Sequence, residues 1–327
     1  MEQLRIGIIA TGGIAHKFAN TVIQMKEAVL TAVSSRTIDK AEAFAREFAI
    51  PHAYGDYLDL SKDPNVDLVY IGSPHQAHYQ QAYGALSHGK HVLCEKALCT
   101  DAKQAQDLMN LAKAKGLLLC EALWTRFQPL TKEIFQLANS GIIGTPSLIS
   151  VGHGQILTHV PRLVDPKQAG GALLDLTVYP IHLAFLLFGP DYSDFVTKAQ
   201  MYQTGVDAVD QITLTYANDR MALLSGSLLH QMSNLWHIYG DQGTIEVNGH
   251  YHPLSYTVYD KDRQVIQSKA KPADEITGYE YEVLACKSAI EAGLCECPQM
   301  PWRDSLKALE LCDALRAVWG LRFPFES

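Results

Sequence analysis

The 327-residue chain has no dense run of lysine and arginine, and its formal net charge is 27 − 35 = −8. That excludes nucleic acid and anionic membrane surfaces as general partners. It also has no long apolar run. The longest uncharged one, LTVYPIHLAFLLFG after Asp175, contains Pro180 and His182 and is shorter than the ~20 residues needed to cross a bilayer. No basic stretch followed by an apolar segment and a cleavage site opens the chain, and strand-like residues begin at Leu4; a secretory leader is not expected. Cysteine is sparse, with seven residues scattered along the sequence. Cys295-Glu296-Cys297 has neither zinc spacing nor a second pair to complete it. The expectation is free thiols in a reducing cytoplasm and no metal site.

What is present is an ordinary globular composition, 47% hydrophobic and 19% charged, at a length that predicts two domains. Residues 1–121 alternate strands and helices. LRIGIIA, VLTAVSS, DLVYIGS, HVLCEKA and LLLCEAL read as five strands. The segments between them are helical; in one, Ile38, Ala41, Phe44, Ala45 and Phe48 form an apolar stripe. Repeated β–α–β units predict a doubly wound parallel sheet. In residues 122–327 the texture changes to alternating strands joined by short turns, such as MALLSGSLL and SYTVYDKDRQVIQS. Helices are expected around 171–188, 278–292 and 303–319. The fold class is therefore α/β, a Rossmann domain over 1–121 followed by an α+β domain over 122–327 with a large, open, mostly antiparallel sheet.

The first strand runs into ATGGIAHKF, where a dinucleotide loop would lie. The three positions of the G-x-G-x-x-G/A pattern are Ala10, Gly12 and Ala15. Gly12 lets the backbone approach a pyrophosphate, Ala15 allows close helix–strand packing, and the helix start offers unpaired N–H groups. Thr11, Gly12, Gly13, Ile14 and Ala15 are the candidate phosphate contacts. The second strand ends in Ser34-Ser35-Arg36, with Lys40 one turn on. An acidic residue there would bind the ribose 2′-hydroxyl of NAD. Ser35, Arg36 and Lys40 instead offer charge and hydrogen bonds to a 2′-phosphate, which favours NADP and leaves NAD possible.

Two further stretches carry candidate chemistry. HVLCEKA ends in Glu95 and Lys96, at the carboxyl end of a strand, where sheets of this kind bind ligands. GGALLDLTVYPIH places Asp175 and Tyr179 four residues apart, hence on one helix face, with His182 just beyond.

ATGGIA, CEKAL and GGALLDLTVY together resemble the glucose–fructose oxidoreductase/inositol dehydrogenase (Gfo/Idh/MocA) family. EALWTRFQP, LTHVPRLVDPKQAGGALLDL, QTGVDAVD and FPFE are similar to its dimeric dihydrodiol dehydrogenase subgroup. The resemblance implies hydride transfer between NADP and a secondary alcohol of a cyclic polyol, sugar or trans-dihydrodiol. It also implies a homodimer formed through the open sheet, and Lys96 and Tyr179 acting together at the substrate hydroxyl. Tyr179 is then the acid/base, with Asp175 beside it. A phenol titrates near 10, and poising it near 7 takes about 4 kcal/mol. One ammonium about 4 Å away, at an effective dielectric of about 20, supplies on the order of that amount. By the same resemblance the loop carrying Ser73, His75 and His78 lies near the nicotinamide, Trp124 and Arg126 near cofactor or substrate, and Arg162 near the substrate. Glu95 is a cofactor-side candidate that pairs with Lys96 or holds a backbone amide, and His182 is read first as a core histidine with local hydrogen bonds and second as a substrate contact. The family's usual Glu-Lys-Pro is Glu-Lys-Ala here, with Ala97 in the proline's place; alanine keeps the charge and is expected to relax the backbone after it. A sensor of the same fold that binds cofactor without turnover is the alternative.

Overall fold

A computed structural model describes residues 2–326. The described residues divide into two compact units, 2–123 with 276–305, and 124–275 with 306–326. The return of 276–305 to the first unit was not expected from the sequence, because nothing in that segment's composition marks which core it joins.

The first unit holds a six-stranded sheet: β1 Leu4–Ile9, β2 Ala28–Ser34, β3 His52–Tyr54, β4 Leu68–Ile71, β5 His91–Glu95 and β6 Leu119–Ala122. The order is β3-β2-β1-β4-β5-β6, with every pairing parallel. The order reverses between β1 and β4, so the crevice at the carboxyl ends of these strands is where such a sheet takes a nucleotide. The central strands are apolar on both faces, as helices on both sides require. These helices are α1 Gly13–Val22, α2 Ile38–Phe48, α3 Tyr57–Lys62, α4 His75–Ser87 and α5 Ala102–Lys115. β3 and α3 escape periodicity analysis because they are only three and six residues long.

The second unit is built on an eight-stranded sheet. Its strands are β7 Pro146–Gly154, β8 Asp194–Met201, β9 Asp207–Thr215, β10 Met221–Ser227, β11 Leu235–Gly240, β12 Gly243–Asn248, β13 Ser255–Asp260 and β14 Val265–Ala270. The order is β14-β13-β12-β11-β7-β10-β9-β8, and only the β7–β10 pair is parallel. Alternation assigns the faces: Ile149, Val151, Ile212, Leu214, Ala222, Leu224, Trp236 and Ile238 are buried, whereas Val196, Met221 and Leu223 are exposed.

Helix α6, Pro129–Ala138, and helix α7, Val178–Phe188, also belong to this unit. α6 was not expected from the sequence. The segment 166–188, whose helical turns are interrupted at 169–171, is long and apolar enough to cross a membrane, but 89% of its most apolar window is buried inside the protein. Its hydrophobicity on every side is that of a core helix. The chain closes with α8, Glu280–Glu291, in the first unit, and α9, Trp302–Trp319.

Candidate active site

In the first unit the loop after β1 runs directly into α1. Ala10, in place of the first glycine, still adopts φ 82°, a left-handed turn that costs a non-glycine residue. Gly12 caps α1 with no side-chain hydrogen bond, and the first helical turn carries no acidic group. The positive end of the helix is therefore left for an anion. A Cβ built on Gly12 or Gly13 meets no protein atom within 4 Å. Gly12 has φ −84°, so its backbone does not demand glycine; the room above it suits a pyrophosphate. Ile14 and Ala15 lie in the first turn of α1, with Ala15 fully buried. The Thr11 and Ser35 hydroxyls are 3.3 Å apart, which ties this loop to the end of β2. Arg36 and Lys40 are exposed just beyond that end. The residues present thus fit a dinucleotide.

Glu95 ends β5 buried, and its Oε1 accepts the Tyr70 phenol at 2.6 Å. Lys96 follows directly. Two buried histidines from α4 brace the segment. His75 Nε2 lies 3.1 Å from the Lys96 carbonyl, and His78 Nδ1 lies 2.9 Å from the Ala97 carbonyl. The other His78 nitrogen lies 2.8 Å from the Ser73 carbonyl, and the Ser73 hydroxyl donates to Gln81 at 2.6 Å. The Lys96–Ala97 peptide bond is cis.

In the second unit Asp175 lies on a π-helical turn, Leu173–Thr177, that runs directly into α7. Arg162 donates to Asp175 at 3.2 Å. Pro180 has no N–H to offer the Leu176 carbonyl four residues back; His153 Nδ1 lies 3.3 Å from that oxygen. The turn is held from below by two buried carboxylates. Asp207 accepts the Leu173 N–H at 2.6 Å, and Asp210 accepts the Thr177 hydroxyl at 2.8 Å. Gly171 is required here, since it has φ 128° and a Cβ would meet Asp207 Oδ1 at 2.1 Å. Burial, then the neighbouring Asp210 charge, pushes Asp207 well above the usual carboxylate range, and burial pushes Asp210 up to about 7.

Tyr179 is buried one turn past Asp175 and joins an aromatic cluster. Its ring is 5.6 Å from His153 and 5.8 Å from Tyr251. Trp124 stacks on Tyr251 at 5.5 Å and on His252 at 4.5 Å. His182 is engaged by Arg126, which donates to its Nδ1 at 3.2 Å, and burial, followed by the Arg126 charge, lowers its pKa well below the usual value. His182 is therefore a neutral core imidazole with its proton on Nε2, and Arg126 is spent at least partly on it.

His153, Tyr251, Asp207 and Asp210 were not assigned roles from the sequence. His153 sits on the inner face of a strand as a lone imidazole, which carries no local signal. The two aspartates lie in QTGVDAVD three residues apart, a spacing that strict strand alternation puts on opposite faces, so the pair was not visible in the sequence.

A 3-2-1-4-5-6 parallel sheet with an uncapped glycine helix start, and a second unit carrying an acid, a phenol and an aromatic wall, define a dinucleotide-dependent oxidoreductase. Residues 4–122 match the family described as oxidoreductase family, NAD-binding Rossmann fold, and residues 131–246 match the GFO/IDH/MocA C-terminal domain. The chain is 33% identical over 325 residues to a trans-1,2-dihydrobenzene-1,2-diol dehydrogenase of Xenopus tropicalis, covering 97% of this chain and 98% of that one. It is 30% identical to the enzyme of the same name from Homo sapiens, covering 98% of each. Among solved structures, KijD10, a 3-ketoreductase from Actinomadura kijaniata in complex with NADP and TDP-benzene, superposes with TM-score 0.86 at 27% identity, over 96% of this chain and 97% of that one. The chain belongs to the Gfo/Idh/MocA oxidoreductase family and is an NAD(P)-binding oxidoreductase.

Proposed function

We propose that the protein transfers hydride between NADP(H) and a secondary alcohol or its carbonyl on a cyclic polyol, sugar or trans-dihydrodiol. The observation that carries this reading is the position of Lys96. It follows Glu95 at the carboxyl end of β5, the edge where such a sheet binds its nucleotide, with its flanking carbonyls faced by His75 and His78. Thr11, Gly12, Gly13 and Ser35 would hold the cofactor's phosphates and ribose, with Arg36 and Lys40 at the 2′-phosphate. Bound nicotinamide supplies the hydride acceptor or donor.

The residues of this chain do the rest. Tyr179 takes the carbinol proton as the alcohol is oxidised and returns it in the reductive direction. Lys96 stabilises the phenolate and the substrate oxygen. Asp175, held by Arg162, orients the substrate hydroxyls, and Trp124 and Tyr251 offer flat surface to a ring. The dihydrodiol relatives and the aromatic character of this cluster favour a cyclic diol over an open-chain one. The exposed apolar residues on the outer sheet face, Val196, Met221 and Leu223, suit a homodimer formed through that face. Seven free cysteines, six of them buried, suit a reducing cytoplasm.

The test is an assay of purified protein with NADP+ against trans-1,2-dihydrobenzene-1,2-diol and a panel of cyclic polyols and aldoses. Turnover on a ring-borne secondary alcohol is expected. Tight NADPH binding with no turnover on any of them would identify a cofactor sensor instead.

A further inference from the structure

Far from Lys96 in sequence, the first unit gathers three cysteines that spacing gave no reason to group. Cys120 comes from β6, Cys286 from α8, and Cys297 from the short bridge with Met300. All three are fully buried, and their sulfur atoms lie within 4.8 Å of one another, Cys286 and Cys297 at 4.0 Å. Zinc–sulfur bonds of ~2.3 Å in tetrahedral array put sulfurs about 3.8 Å apart, so the thiols already stand close to the spacing a zinc ion imposes.

A second observation points to a cation. Glu282 is fully buried, and neither of its carboxyl oxygens has a hydrogen-bond partner. It lies four residues before Cys286 and so shares that residue's face of α8. An unpartnered carboxyl in an apolar interior is costly, and a cation among the adjacent thiols would offset that cost.

We propose that Cys120, Cys286 and Cys297 form a structural zinc site, with Glu282, whose carboxyl lies outside the group of sulfurs and must turn toward it, as the fourth donor. Binding is a plain ligand exchange: thiol and carboxyl protons leave to solvent as four metal–ligand bonds replace four metal–water bonds. The ion would tie β6, the edge strand of the sheet, to a segment more than 160 residues later. That segment already pairs with β6 through Leu119 N–H on the Cys295 carbonyl at 2.9 Å and Trp302 Nε1 on the Leu119 carbonyl at 2.8 Å.

The experiment uses full-length protein prepared under reductant and titrated with Zn2+ alone, with metal content read after gel filtration and Co2+ as the spectroscopic stand-in. The expected result is roughly one equivalent of zinc, falling about tenfold or more in Cys297→Ser and Cys286→Ser. Co2+ should give thiolate charge-transfer bands with intense tetrahedral d–d bands, and zinc should raise Tm in the wild type only. Cys297→Ser, at a turn, is the variant checked for native circular dichroism, so that lost binding is separated from lost folding. Equal zinc in wild type and variants, or folded reduced protein that takes up no zinc, overturns the site. A disulfide among these cysteines in reductant-treated protein overturns it as well. Co2+ bands unchanged in Glu282→Gln overturn the fourth donor.

Discussion

His153 lies edge-on to Tyr179, ring centroids 5.6 Å apart and planes at 65°, while its Nδ1 reaches the Leu176 carbonyl. One imidazole thus packs against the proposed acid/base and braces the turn leading to it. His153→Ala should lower kcat by about tenfold, through misplacement of the phenol, and leave NADPH affinity unchanged. Steady-state kinetics beside a fluorescence titration of NADPH checks this; an equal loss in cofactor affinity would show a broader collapse.

Tyr179→Phe keeps the ring packing and removes the hydroxyl. Turnover should fall about 10²- to 10⁴-fold, the range for loss of a general acid/base, with NADP affinity retained. Near-normal kcat would move the proton-transfer role to another group.

Arg36 stands exposed beyond the end of β2. Arg36→Ala should narrow the preference for NADP over NAD by roughly 10- to 100-fold, corresponding to a charge-assisted hydrogen bond of about 1.5–3 kcal/mol. The readout is the ratio of kcat/KM with the two cofactors. A ratio that does not change removes Arg36 from the 2′-phosphate.

Lys96→Met removes a positive charge from the carboxyl end of β5. On the proposed stabilisation of the Tyr179 phenolate by Lys96, the basic limb of the kcat/KM–pH profile for carbonyl reduction, where Tyr179 must be protonated, should move to higher pH. The profile is compared under saturating cofactor, and an unmoved limb is the contrary result.

Asp210 makes stability depend on pH. Burial raises its carboxyl to about 7 in the folded protein, whereas an unfolded aspartate titrates near about 4. Between those values the folded state holds a proton that the unfolded state has released, so stability falls as pH rises through that window. Asp210→Asn, which keeps an acceptor for the Thr177 hydroxyl, should lack that contribution. Tm measured from pH 4 to 8 should therefore decline more steeply in the wild type than in the variant; parallel curves would contradict the assignment.

The Rossmann unit was legible because its signals are local. The β–α–β periodicity, the small residues at 10, 12 and 15, and the Ser-Ser-Arg end of the second strand each lie within one turn or one strand. Asp175 and Tyr179 were singled out from the same kind of local signal, since i and i+4 share an α-helix face, although Asp175 lies on a π-helical turn. His182 was harder. Its spacing placed it near that pair, but burial and Arg126 make it a neutral core group.

By itself, the sequence determined the alternation of elements, the one-sided apolar sheet of the second unit and the chemistry of the nucleotide loop. Those follow from steric and hydrophobic periodicity along the chain, which needs no knowledge of distant partners. Only the tertiary structure decided that 276–305 returns to the first unit and that Cys120 meets Cys286 and Cys297. It also decided that His153 and Tyr251 gather around Tyr179 and that Asp207 and Asp210 hold the turn beneath Asp175. Such meetings are set by which surfaces are buried together, and a buried side chain carries no mark in the sequence of the neighbour it will face.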